Sequence, residues 1–329
     1  MKIGIVGLPN VGKSTLFNAL TKSYAADAAN FPFCTIDPNI GVVDVNDPRL
    51  QTLAEISQTQ KIIPATIKFV DIAGLVKGAS QGEGMGNAFL SHIREVDAIV
   101  QVLRHFKDAD INHVEGEVDP IRDEDIITTE LILSDLEQIE KKLPQLQRKA
   151  KSGDKETLEE MKVLESAKAL LEDRKLIYDL QGDLTKDEKK YLKTYNFLTN
   201  KPFVYAMNVG ESELSQARAI QADFEQRFGK PTAVVCAKLE SEMIEMDDDE
   251  RKMLLEEYGD VPTLDDLIAL AFREVGLMYY FTTGIKETRA WTVRQGSTAP
   301  QAAAAIHKDF ERGFIKAEVV SYDDLVATG

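Results

Sequence analysis

The chain has 329 residues, 43% apolar and 29% charged, with a formal net charge of −16. That length accommodates two or three domains with sizeable cores, while the acidic balance argues against generic coating of DNA or other nucleic acid. No run of about 18 apolar residues offers a membrane span, and an N-terminus that opens on an apolar strand leaves no room for a signal peptide.

Residues 3–20 organise the rest. Ile3, Ile5 and Val6 predict a buried strand. Gly7-Leu8-Pro9-Asn10-Val11-Gly12-Lys13-Ser14 then matches the phosphate-loop pattern of Gly, four residues, Gly-Lys-Ser/Thr. Thr15 leads into a helix with Leu16, Phe17 and Leu20 on one face. Gly7 and Gly12 let the backbone wrap a phosphate, and the loop N–H groups with the helix N-terminus form an anion cradle. Lys13 is expected on the β/γ-phosphates and the Ser14 hydroxyl on Mg²⁺.

Two prolines, Pro32 and Pro38, bracket a loop that can carry Thr35 to the metal and γ-phosphate, as switch loops do. A plain surface connection is the competing reading. Cys34 beside it and Cys236 lie far apart, without metal-ligand spacing, and point to a reducing, cytoplasmic setting. A strand is expected over 40–45, and another from 67 ends in Asp71-Ile72-Ala73-Gly74. Asp71 would hold Mg²⁺, commonly through water, and the Gly74 N–H would sense the γ-phosphate. Leu75 follows, where Ras-like switches carry a water-orienting Gln, so catalysis needs another source. Residues 78–87 hold four glycines and read as a mobile second switch.

A helix over 89–95 and a buried strand over 98–103 precede a loop over 108–120. That loop carries His113, one of four histidines. An imidazole there could orient or deprotonate water where Leu75 cannot; a loop histidine without chemistry is the alternative. From Ile126 to Leu143 and again from Leu158 to Leu171 the apolar spacing is helical, with a turn at Gly153-Asp154. This predicts an antiparallel, coiled-coil-like hairpin over 122–195 that interrupts the sheet. Lys141, Lys142, Arg148, Lys149, Lys151 and Lys155 cluster near its tip, as a solvated face or as an RNA phosphate contact.

The sheet pattern returns with a strand ending in Asn208-Val209-Gly210-Glu211. A GTP-specific switch has Asn-Lys-x-Asp here, the Asp accepting from guanine N1–H and the 2-amino group. Adenine has neither donor, so the exchange to Val209 and Glu211 removes a guanine clamp at no loss to ATP. Residues 232–238 predict a further strand with a base-side loop, and Asp247 to Glu250 a helix lead-in. Two strands within 279–293, a helix over 301–310 capped by Thr298 and Pro300, and a strand over 313–320 compose a small α+β unit.

Taken together, Gly7 to Thr15, Asn30-Phe31-Pro32-Phe33-Cys34-Thr35-Ile36-Asp37-Pro38, Asp71 to Val76, Gly82 to Asn87, Asn208 to Glu211, Arg289-Ala290-Trp291-Thr292 and His307 to Phe314 closely resemble the YchF / Obg-like ATPase family of P-loop proteins. The resemblance runs essentially end to end. It implies an α/β P-loop nucleotide-binding domain over 1–121 and 196–276, the helical insertion over 122–195, and a C-terminal TGS domain of α+β β-grasp fold over 277–329. Family TGS domains run further, so this one is expected to be incomplete as the sequence stands.

It also implies a ribosome-associated protein that prefers ATP to GTP and hydrolyses it slowly, with members tied to stress responses. Phosphate contacts fall on Asn10, Val11, Gly12, Lys13, Ser14 and Thr15, Mg²⁺ on Ser14 and Thr35, and the base on Asn208 and Val209. His113 matches the family's loop histidine implicated in hydrolysis. In some relatives an Asn at the position of Asn10 helps bind K⁺. The expected function is an ATP-driven switch read by the translation machinery. An Obg-type GTPase, a ribosome- or RNA-binding scaffold with structural nucleotide, and a small-molecule kinase are the rivals, the last disfavoured by the switch layout.

Overall fold

A computed structural model describes residues 1–23, 39–72, 85–151, 153–182, 184–259 and 261–328. Its strands are β1 (Lys2–Val6), β2 (Ile40–Val45), β3 (Ile62–Ile63), β4 (Ala65–Asp71), β5 (Ala98–Arg104), β6 (Phe203–Asn208), β7 (Thr232–Val235), β8 (Leu277–Thr282) and β9 (Thr288–Arg294). The helices are α1 (Lys13–Ser23), α2 (Pro48–Ile56), α3 (Met85–Arg94), α4 (Pro120–Ala150), α5 (Lys155–Glu172), α6 (Lys186–Tyr195) and α7 (Ala217–Phe228). They continue with α8 (Ala237–Glu242), α9 (Asp248–Tyr258), α10 (Leu264–Glu274), α11 (Ala299–Ala303), α12 (Lys308–Arg312) and α13 (Tyr322–Thr328).

The main sheet runs β2-β4-β1-β5-β6-β7, parallel throughout except for β2 on β4. With β4 on one side of β1 and β5 on the other, the strand order reverses at β1. In open α/β sheets that reversal opens a crevice beyond the carboxyl ends of the strands. Every residue of β5 and β6 is buried, as expected for parallel strands covered on both faces. Alternate residues of β6 feed two cores. Val204 and Ala206 join Ile5, Leu16, Phe69 and Ile268, while Tyr205 and Met207 pack with Phe224 and Leu239.

The helical insertion has its own core of Ile139, Leu143 and Leu146 from α4 against Val163, Leu164, Ala167 and Leu171 from α5. Its root belongs to the sheet, because Ile127 and Leu131 of α4 sit in the main core. Asp119 caps α4 through the N–H groups of Ile121 and Arg122, and Asp154 caps α5 through that of Thr157. Asp135 staples the seam. Fully buried, it accepts from Leu198 N (3.0 Å), Thr199 N (2.8 Å) and Thr199 Oγ1 (2.7 Å), where the chain re-enters the sheet.

The second sheet runs β3-β9-β8. Two expectations fail in this region. Residues 313–320 form no strand, and Ile315 and Val319 are 91% and 90% exposed. An alternating pattern becomes a strand only beside a partner ladder, and no described strand pairs with this stretch. The single helix expected over 301–310 is two, α11 and α12, because His307 takes extended geometry and its ring accepts from Asp309 N to cap the second. The helix expected from Phe89 begins earlier, at Met85, inside the glycine-rich stretch. The last three residues of that stretch open α3, whose first-turn N–H groups have no helical partner to lose; 78–84 lie outside the described residues. Among the described residues, no helix is long and apolar enough to cross a membrane.

Candidate nucleotide site

The phosphate loop lies at the carboxyl end of β1, in the crevice. Gly12 has a φ of +97°, and a Cβ there would come within 2.2 Å of the Asn208 Nδ2. Only glycine permits that approach. Asn208, 4% exposed, is the strut between the two halves of the site. Its Nδ2 donates to Val11 O (2.9 Å), its Oδ1 accepts from Ala237 N (3.0 Å), and its carbonyl accepts from His105 N (2.9 Å) and Phe106 N (3.2 Å).

Lys13 is 8% exposed and donates to Leu8 O at 2.8 Å. Burial pulls its ammonium down to about 8, against the pull of Asp71. Burial pushes Asp71 up, with Lys13 and Ser14 opposing. Ser14 Oγ donates to Asp71 Oδ2 at 3.4 Å. A hydroxyl beside a carboxylate is a hard oxygen donor set of the kind magnesium prefers, so Ser14 and Asp71, the two described residues expected at the metal, fit the ion. Thr35, Gly74 and Leu75 lie outside the described residues.

A cavity of about 720 Å³ is lined by Asn10, Gly12 and Thr15 from the phosphate loop, and by Val209, Glu211 and Lys238 from the segments that follow β6 and β7, where the base is expected. Val209 is 2% exposed, and its N–H is donated to Val235 O. Glu211 Oε1 meets Lys238 Nζ at 2.8 Å, so the carboxylate at the guanine-reading position already has a cation. Cys236, just before Lys238, is buried, and burial pushes its thiol up.

His113 lies next door. It lines an adjoining cavity of about 520 Å³, which shares Lys107, Asp108 and Ile111 with the larger one, and its side chain is 2% exposed. Nε2 lies 2.7 Å from Asp123 Oδ2, and Nδ1 accepts from Glu115 N at 3.2 Å. Of the expected site residues that are described, His113 and Asp71 lie outside both the phosphate loop and the lining of the larger cavity, and Asp71 reaches the loop through Ser14.

Three residues that hold this region carried no signal in the sequence reading. Arg104 ends β5 at 1% exposure and spends its guanidinium on Ile111 O (3.0 Å), Asp108 O (3.2 Å) and Phe106 O (3.2 Å). Its charge also stacks 4.3 Å from the Phe106 ring centre. Asn112 O accepts from Asn10 Nδ2 at 3.1 Å, which ties the histidine loop to the phosphate loop. Asp123, in the first turn of α4, is the third. An arginine closing a strand that is apolar but for Gln101 is the one clue in the residues themselves.

At the hairpin tip the basic residues are interleaved with acidic partners. Lys141 pairs with Glu137, Lys155 lies 4.0 Å from Glu159, and Lys142 sits 5.6 Å from the Tyr195 ring centre. Arg148 and Lys151 are exposed.

Residues 2–134 match the family model described as a 50S ribosome-binding GTPase. Residues 277–329 match a C-terminal model, YchF-GTPase_C, described as a protein of unknown function. The chain is 50% identical over 328 residues to the ribosome-binding ATPase YchF of Pasteurella multocida, covering 99% of this chain and 90% of the relative. It is 48% identical over 332 residues to the Bacillus subtilis protein of the same name, with the same shares covered. The structure of the Schizosaccharomyces pombe YchF GTPase superposes with a TM-score of 0.85 at 38% identity, covering 99% of this chain and 89% of that one.

Proposed function

Because the chain belongs to the YchF family, we propose that it is a slow, Mg²⁺-dependent ATPase whose nucleotide state is read by the ribosome in the cytoplasm. The observation that carries ATP over GTP is the base side of the cavity. A buried Val209 stands where a guanine clamp has its lysine, and Glu211 is occupied by Lys238. A carboxylate already paired to an ammonium is a poor acceptor for guanine N1–H and the 2-amino group, and adenine asks for neither bond.

In this reading the loop N–H groups from Asn10 to Thr15 hold the phosphates and Lys13 reaches the β/γ-oxygens. Ser14, Thr35 and Asp71 would hold Mg²⁺, which when bound supplies charge neutralisation at the phosphates. The Gly74 N–H senses the γ-phosphate. Potassium would sit at Asn10 Oδ1, since the amide nitrogen is already donated to Asn112. With Leu75 in the Gln position, His113 is the residue left to orient water. Arg148 and Lys151 at the hairpin tip are the proposed RNA contacts, on the ribosome or elsewhere.

Side-by-side titration with ATP and GTP in Mg²⁺, for the native chain and for Glu211→Asp, tests the reading. The native chain is expected to bind ATP at least about tenfold more tightly, the worth of one net hydrogen bond to a charged group, and Glu211→Asp to narrow that ratio. Equal or tighter GTP binding by the native chain overturns it in favour of the GTPase that the matching family model describes.

A further inference from the structure

We propose that Asp123 is a positioning residue that keeps His113 in reserve, and that turnover requires the two to part. The proposal rests on the ATPase reading with His113 as its hydrolytic group. The observation behind it is that both ring nitrogens are already in use. Because Nδ1 accepts the Glu115 N–H, the proton sits on Nε2 and is donated to Asp123. A catalytic imidazole held by a carboxylate keeps its second nitrogen open toward the nucleophile. Here the second nitrogen is closed, and the side chains of His113 and Asp123 are 2% and 1% exposed. A water molecule has no free nitrogen to meet. The pair stores the base and does not present it.

Two connections make the store responsive. On the phosphate side, Asn10 Nδ2 holds Asn112 O, one residue from His113, so a change at Asn10 on nucleotide binding is felt at the histidine. On the other side, Asp123 rides on the first turn of α4, the root of the helical insertion, and Arg122 Nη2 steadies its second oxygen at 3.2 Å. A displacement of α4 draws the carboxylate off the imidazole. Release of the base is thereby linked both to nucleotide and to whatever grips the insertion.

The experiment compares ATP turnover and ATP affinity of the full chain in native form and as Asp123→Ala, Asp123→Asn, His113→Ala and the Asp123→Ala/His113→Ala pair. Asp123→Ala is expected to raise turnover about tenfold, the factor held by one charge-assisted hydrogen bond, at unchanged affinity. Asp123→Asn keeps an acceptor and gives a smaller rise. The double variant falls to the level of His113→Ala, about a hundredfold below native. A merely structural carboxylate would not make its effect depend on His113.

Unchanged or lower turnover in a folded Asp123→Ala overturns the proposal. Native-like turnover in His113→Ala overturns it too while leaving the ATPase reading intact, whereas no ATP turnover by the native chain removes that reading itself. If Asp123→Ala does not fold, nitrogen-15 spectra of the native imidazole decide. A slowly exchanging Nε2–H in nucleotide-free protein supports the store, and a freely exchanging one refutes it.

Discussion

The two sheets of this molecule are made of similar material and held in different ways. In the main sheet β5 and β6 are buried at every residue, and helices cover both faces. In the second sheet one residue of β8 and two of β9 are buried, and α11, α12 and α13 bury none. The first gains its stability from apolar area removed from water. The second is held by hydroxyls and borrowed neighbours. Thr59 Oγ1 donates to Gly284 O (2.7 Å) and meets Thr288 Oγ1 (2.6 Å), which in turn meets Thr283 Oγ1 (2.8 Å). A sheet can therefore be ordered by a short polar chain where area is scarce, and the two kinds of order should respond to different insults.

The largest response belongs to the main core. Phe69 of β4 is fully buried among its apolar neighbours, and Phe69→Ala should cost about 3–5 kcal/mol in urea unfolding monitored by far-UV circular dichroism. A loss below about 1 kcal/mol would mean that this core tolerates a cavity and that the contrast between the sheets is overstated.

Next is a pH effect at the edge of the main unit. Glu240 of α8 is 6% exposed, accepts from Leu264 N at 3.0 Å, and burial pushes it up to about 7. Its folded value lies above its unfolded one, so between about pH 4.5 and 7 the folded chain binds the extra proton. Stability from this group is present in full below that window and is lost as pH rises through it, a change of roughly 3 kcal/mol. Glu240→Gln keeps the acceptor and should flatten that part of the stability curve; a curve that stays as steep as the native one would count against the assignment.

The smallest effect belongs to the second sheet. Thr288→Val keeps shape and removes the middle hydroxyl, at about 1–2 kcal/mol. Because that sheet contributes little apolar area, the loss should appear as faster amide exchange in β8 and β9 with main-sheet exchange unchanged. A uniform rise across both sheets would show that they unfold as one unit.

What the residues disclosed about the fold divides along the same line. The phosphate loop, the strand over 98–103 and the hairpin with its turn at Gly153-Asp154 were legible because their signals are local: a motif, a β-branched run, a 3.6-residue period. The strand expected over 313–320 failed because pairing is not local. β3 escaped notice because two residues carry no period. In the candidate site the phosphate-side residues stood in a recognisable string, whereas Arg104 and Asp123 read as ordinary charges. Their meaning lies in what they touch: the carbonyls of Phe106, Asp108 and Ile111 for the one, an imidazole ten residues back for the other. Sequence spacing holds no record of such contacts.

The short strand β3 also sets an order of events during synthesis. Ile62 pairs with Thr288, and the Thr59 hydroxyl meets a partner 229 residues away. At about 5–20 residues per second, β3 is made roughly 10–45 s before β9 exists to receive it. The last residue lining the larger cavity, Glu242, is by then already made, as is every strand of the main sheet. The nascent chain thus holds every described residue that lines the larger cavity while the second sheet is still an open edge.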